Sequence, residues 1–181
     1  MKFIETNLKG AFVVEPSPLK DERGMFTRIF CKKEFAAIDH VKEFVQVNHS
    51  VNAKRGTIRG LHFQRNPHAE IKLIQCLAGS VFDVMVDLRI NSPTYLKWFG
   101  TTISKENKKM MYIPEGFAHG FQTLEDNSEL LYHHTGYYTP SSEGGVNPMD
   151  RSIGIVWPLE SSICSDKDKN LPFINEKFTG I

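Results

Sequence analysis

The chain has 181 residues, enough for one domain with a sizeable core, and we read 1–181 as a single domain. Its composition is 40% hydrophobic and 24% charged, which excludes a disordered or fibrous protein. Its 22 basic and 21 acidic residues leave a net charge of +1, so nothing points to a nucleic-acid or membrane surface.

In chain order, the first predicted strand is Gly10–Val14. Lys32–Ile38 suits a short helix, and Phe44–Ser50 and Thr57–Phe63 read as strands. Leu73–Leu77 and Val81–Leu88 follow, joined by the turn Ala78-Gly79-Ser80. In the second of these, Val84, Val86 and Leu88 alternate with Asp83, Met85 and Asp87, as on a strand with two faces. Trp98–Ile103, Lys109–Ile113, His119–Thr123, Glu129–Thr135 and Ile153–Trp157 complete the strands. The loop Ser141–Asp150 borders a site, and Lys167–Leu171 is a short helix capped by Ser165. Many short strands with few helices predict an all-β sandwich or barrel. Cys31, Cys76 and Cys164 are widely spaced with no CxxC, which argues against a zinc knuckle or redox pair. Free thiols, an N-terminus without a long apolar run, and no stretch near the roughly 20 apolar residues of a membrane span predict a cytoplasmic location.

The chemistry concentrates in two segments, Ile58–Gln64 and Ile113–Phe121, each setting a histidine among glycines and apolar residues. Histidine suits proton transfer near neutral pH. Arg59 and His62 are three positions apart and face opposite ways on an ideal strand, but a bulge at Gly60 turns both into one cavity. Arginine there suits phosphate oxygens. Lys72, entering an apolar strand, is a candidate for stabilising an oxyanion, and Tyr132 for donating a proton. Asp168 is a candidate for orienting a histidine base. There is no GxxxxGK[ST], GxSxG or GxGxxG, which disfavours ATP hydrolysis, serine-hydrolase chemistry and Rossmann cofactors. Pro114-x-Gly116-x-x-His119, taken with Gly60, Gly79 and Glu70, resembles the two-motif pattern of cupin barrels, many of which hold a metal. Gln64 stands where such cupins carry a second histidine, so a metal site would fall to His62, Glu70 and His119, with Lys72 opposing the cation.

Across nearly the whole chain the sequence resembles the dTDP-4-dehydrorhamnose 3,5-epimerase family, cupin-fold enzymes of nucleotide-sugar biosynthesis. The matching blocks are Asp21–Gly24, Val45–Ser50, Arg59–Gln64, Val84–Arg89 with Ser92-Pro93-Thr94, Ile113–Phe121, Tyr137-Tyr138 with Glu143, Ile155–Pro158, and Lys167-Asp168. The resemblance implies a cupin (double-stranded β-helix) jelly-roll barrel with short peripheral helices. It implies His62 as general base paired with Asp168, Tyr132 as general acid, and Lys72 at the sugar oxygen. Arg59 and His119 would contact phosphate and sugar. Arg23, Phe26, Arg28, Gln46, Asn48, Tyr138, Glu143 and Lys167 would line the nucleotide-sugar site. It further implies no metal, no cofactor, and a homodimer with exchanged N-terminal strands, in which Arg23 and Phe26 serve the neighbouring pocket.

The chain departs from the family pattern in places. The family usually has glutamate at Arg28 and an aromatic residue at Met25. It commonly has Tyr-Lys followed by Asn or Asp where this chain reads Tyr132-His133-His134, and Trp-Asn-Asp near Asn147–Asp150. These changes leave open a GDP-linked 4-keto hexose or heptose, and inversion at C3 alone. The rivals are a metal-dependent cupin oxygenase or isomerase on His62, Glu70 and His119, and a sugar-binding cupin without catalysis.

Overall fold

The computed structural model describes residues 1–160 and 163–181. In chain order its elements are β1 (Lys2–Glu5), β2 (Phe12–Glu15), β3 (Leu19–Asp21), β4 (Gly24–Phe26), α1 (Lys32–Phe35), β5 (Gln46–Asn52), β6 (Thr57–Gln64), β7 (Lys72–Ala78) and β8 (Ser80–Asp87). Then come β9 (Trp98–Ser104), β10 (Met110–Ile113), β11 (Phe117–Thr123), β12 (Ser128–His134), β13 (Glu143–Gly145), β14 (Ile163–Cys164) and α2 (Asp166–Lys169). One sheet runs β1-β2-β10-β7-β12-β5 and the other β13-β6-β11-β8-β9, with β14 also on β6. From β5 onward the chain passes repeatedly between the two sheets, the winding of a cupin jelly roll. No helix among the described residues is long and apolar enough to cross a membrane.

Both sheets are covered on both faces over most of their area, the edge strand β5 excepted. Between them lie Val13, Ile74, Met111 and Leu130 from the first sheet against Val81, Met85, Ile103 and Phe117 from the second. The alternate residues of β8, Val84 and Val86, point outward with Leu61, Phe63 and Ala118 and are covered by Ile153, Ile155 and Trp157. On the first sheet's outer face, Val14, Leu73, Met110 and Tyr112 pack under Phe30, Phe35 and Phe44 from the segment around α1. Double burial explains why β10 and β11 have no exposed face and why their sequences do not alternate cleanly.

The predicted strands fall on observed ones with shifts of one or two residues, except at Ile153–Trp157. That segment is irregular: its period-two pattern aims Ile153, Ile155 and Trp157 at the second sheet, without a ladder partner. Trp157 Nε1 instead donates to the Pro148 carbonyl at 2.9 Å. The short strands β1, β3, β4 and β14 were not anticipated, and the loop Ser141–Asp150 contains β13, which pairs with β6.

Gly60 shapes strand β6. Its φ is +120°, and a Cβ there would lie 2.6 Å from Gly120 Cα and 2.7 Å from the His119 carbonyl oxygen. Both obstacles are backbone of β11, so they cannot swing aside. Gly60→Ala should therefore destabilise the fold by about 3 kcal/mol, lowering Tm by roughly 6–12 °C. Thermal melts of the two proteins check this, and equal midpoints would contradict it.

Candidate active site

Strand β6 carries one residue more than its partner. In the β11–β6 ladder His119 pairs with His62 and Phe121 with Arg59, so two steps on β11 match three on β6. The extra residue at Gly60-Leu61 shifts the alternation by one. Arg59 and His62 thus line the same cavity of about 380 Å³, between the two sheets.

Four histidines line that cavity, and each has its own carboxylate; the more exposed His49 meets Glu129 at 3.0 Å, and the other three lie deeper. His62 Nε2 lies 2.8 Å from Asp168 Oδ1, and the other Asp168 oxygen accepts the Gly60 N–H at 3.1 Å. Burial would raise the Asp168 pKa, but the bonds from His62 and Gly60 prevail and hold it below its ordinary value. A carboxylate at that distance takes the Nε2 hydrogen and leaves His62 Nδ1 with a free lone pair. Ser165 caps α2 and accepts the Asp168 N–H at 3.1 Å, which sets Asp168 at the helix start. His119 Nε2 lies 2.9 Å from Asp83 Oδ2. Asp83 is fully buried and its other oxygen has no partner among the described residues; burial raises its pKa despite the histidine. His134 Nδ1 lies 2.8 Å from Glu70 Oε2, whose Oε1 also meets Lys72 Nζ at 3.2 Å. Burial works against ionised Glu70, but His134 and Lys72 prevail and lower its pKa.

From the opposite sheet β12 brings Tyr132. Its hydroxyl is 2.9 Å from Ser50 Oγ, and its ring stacks on His134 with centroids 6.2 Å apart. Desolvation pushes the phenol well above the ordinary tyrosine range, outweighing the Ser50 bond, so it stays protonated. Strand β5 turns Gln46, Asn48, Ser50 and Asn52 inward. At the mouth, Glu143 accepts Lys167 Nζ at 2.7 Å and the Tyr138 hydroxyl at 3.1 Å, while Gln46 accepts the Tyr138 N–H at 3.0 Å.

The cavity therefore gathers His62, Tyr132, Asp168, Lys72, Arg59, Asn48, His119 and Lys167, with Gln46, Tyr138 and Glu143 bonded at its rim. Arg23, Phe26 and Arg28 lie elsewhere. Arg23 and Phe26 sit on or beside the exposed β3–β4 hairpin, and Arg28 Nη1 is bound to Glu34 at 2.7 Å. His62, Glu70 and His119 each face a different partner, and among the described residues no three His, Cys, Asp or Glu side chains converge as a metal site. His133 and His134 are adjacent on β12 and face opposite ways. Indeed His133 lies on the far side of β12, its ring 5.7 Å from Phe44. Missed altogether were Asp83, Ser50 and Asn52. Asp83 left a signal, a charge on the Val81–Met85 face of a strand otherwise bound for the core.

An all-β barrel with a cavity that joins a histidine–carboxylate pair, a lysine and a neutral phenol belongs to the class of enzymes that move protons on sugar carbon, the sugar epimerases. The family model described as dTDP-4-dehydrorhamnose 3,5-epimerase matches residues 5–176. The chain is 46% identical over 171 residues to the dTDP-4-dehydrorhamnose 3,5-epimerase of Shigella flexneri, covering 94% of each. It superposes with a TM-score of 0.93 on the Bacillus anthracis dTDP-4-dehydrorhamnose 3,5-epimerase solved with TDP and pyrophosphate bound, at 44% identity, covering 96% of this chain and 99% of that one. A Legionella pneumophila epimerase in complex with dTDP-4-keto-L-rhamnose gives 0.91 at 39% identity, covering 95% and 92%. The chain belongs to the dTDP-4-dehydrorhamnose 3,5-epimerase family.

The Asp168 pKa, held below its ordinary 3.8, makes a pH prediction. A depressed carboxylate stabilises the fold above its unfolded pKa, and that contribution is lost as pH falls through the folded value. Wild type should lose stability below about pH 4 more steeply than Asp168→Asn, which cannot titrate. Urea melts between pH 6 and pH 2 check this; parallel curves would contradict it.

Proposed function

We propose that this chain inverts C3 and C5 of a dTDP-linked 4-keto-6-deoxyhexose, using His62 as base and Tyr132 as acid. The observation that carries the reading is the cavity itself. His62 stands on one sheet, backed by Asp168 from α2, and a desolvated, protonated Tyr132 stands on the other.

The 4-keto group acidifies the hydrogens on both adjacent carbons. His62 Nδ1 takes one of them, the C–H electrons move onto the ketone oxygen as an enolate, and Asp168 stabilises the imidazolium. Lys72, fixed by Glu70 at the cavity wall, supplies positive charge for the enolate oxygen. Tyr132 then gives its proton to the carbon from the opposite face, and the centre is inverted. Arg59 holds the diphosphate and His119 a sugar hydroxyl, while Tyr138, Glu143 and Lys167 flank the nucleotide at the mouth. The chemistry requires no redox cofactor.

The relatives' names favour the thymidine-linked sugar over a GDP-linked hexose or heptose. Of the residues that argued for a changed substrate, His133 packs outward against Phe44, away from the cavity, and Arg28 is held by Glu34. Arg23, Phe26 and Met25 fit a homodimer in which the β3–β4 hairpin crosses to a second copy. That hairpin pairs only with itself among the described residues, and Leu19 and Phe26 are 70% and 71% exposed. Val47 and Val51 add an exposed apolar stripe on the outer face of β5.

Proton NMR in deuterated water tests the assignment. With a dTDP-linked 4-keto-6-deoxyhexose, wild type should place deuterium at C3 and C5 and invert both. His62→Ala should lose exchange by about 10²–10⁴-fold, and Tyr132→Phe should lose inversion by a similar factor while retaining exchange. Exchange at C3 alone would contradict the two-centre reading, and turnover only of the GDP-linked sugar would contradict the nucleotide.

A further inference from the structure

The Tyr132 and Ser50 hydroxyls are 2.9 Å apart, and the bond length alone leaves either as donor. Their neighbours supply the ground for assigning one. Arg59 Nε lies 2.7 Å from Asn52 Oδ1. A guanidinium has donors only, so this end of the Asn52 amide must be its oxygen. The amide nitrogen then points the other way, donating to the Ser128 carbonyl at 3.0 Å and to Ser50 Oγ at 3.3 Å. The carbonyl can only accept, which fixes the same orientation independently. Ser50 Oγ receives one hydrogen from Asn52 and keeps one lone pair and its own hydrogen, for which Tyr132 Oη is the acceptor within reach among the described residues.

We propose that Asn52 and Ser50 are positioning residues for the acid: a one-way chain of donors, Arg59 to Asn52 to Ser50 to Tyr132, leaves the phenol hydrogen free to aim at the reacting carbon. The inference rests on the epimerase reading of the cavity. In the protonation step the Tyr132 O–H bond breaks and the enolate electron pair forms the new C–H bond. The negative charge passes to Tyr132 Oη, where the Ser50 hydroxyl already donates to it. Water entering by the open mouth returns a proton to the phenolate, and His62 releases to water the proton it took. Were the chain reversed, the phenol hydrogen would be spent on Ser50, and the phenolate would form without a donor inside a desolvated pocket. Asn52 is 2% exposed, so water does not compete for the contacts that set the direction. The same chain ties the acid to Arg59, the residue assigned to the diphosphate.

The test separates exchange from inversion, because His62 can remove a proton and return deuterium to the same face without Tyr132. Wild type, Ser50→Ala and Asn52→Asp are compared by NMR in deuterated water on a dTDP-linked 4-keto-6-deoxyhexose, with thermal melts to confirm folding. Ser50→Ala should slow inversion by about 10- to 100-fold in kcat while exchange and KM stay within about 3-fold of wild type. Asn52→Asp should slow inversion relative to exchange in the same way although the Ser50 hydroxyl remains, since a carboxylate only accepts and draws the Ser50 hydrogen to itself, while its charge beside Arg59 raises KM for the diphosphate substrate. Inversion at the wild-type rate in either folded variant overturns the proposal. So does an equal fall in exchange and inversion, which marks a merely structural role. A wild type that neither exchanges nor inverts overturns the epimerase reading instead.

Discussion

The cavity depends on one surplus residue in β6. A regular strand would send Arg59 and His62 to opposite faces, one of them into the apolar layer of Leu61, Phe63 and Val146. Gly60 absorbs the surplus where its missing Cβ would meet the backbone of β11. The same glycine offers its N–H to Asp168, so the residue that breaks the alternation also anchors the carboxylate behind His62. Backbone geometry and the electrostatics of the site are thus a single constraint.

Around it, the cavity solves a desolvation problem by pairing. Removing a charge from water costs several kcal/mol unless a partner and hydrogen bonds compensate. Asp168 and Glu70 have enough partners to stay below their ordinary pKa values. Asp83, with one partner and one oxygen left over, does not, and its pKa rises. Tyr132 goes the same way: its burial outweighs the Ser50 bond and keeps the phenol neutral. The result is a cavity of ordered hydrogen bonds in which each histidine has one ring nitrogen committed to a carboxylate. That fixes orientation before any ligand enters, and it spreads the donors over separate partners instead of converging them on an ion.

Much of the fold was legible because β-rich runs punctuated by glycine and proline are a local signal. The strands from β5 to β12 and both short helices could be read along the chain, and Ser165 was recognisable as a cap. Ile153–Trp157 misled because alternation records which side is apolar, not whether a neighbour offers a ladder. Strands β3 and β4 are three residues each and exposed, too short to leave a period. At the site, histidines in glycine-rich segments stood out. Asp168 approaches His62 across 106 positions, a contact that no local pattern encodes and that only the family resemblance indicated. Ser50 and Asn52 looked like ordinary polar strand residues; their meaning lies in bonds to Tyr132 on a neighbouring strand and Arg59 on the other sheet.

The central claim is that base and acid attack one sugar ring from opposite walls. A crystal structure with an unreactive dTDP-linked hexose bound tests it most directly. The ring should lie between the His62 imidazole and the Tyr132 hydroxyl, with the oxygen on C4 within hydrogen-bond distance of Lys72 Nζ. A sugar that meets both groups on one face, or that turns its C4 oxygen away from Lys72, would contradict the account.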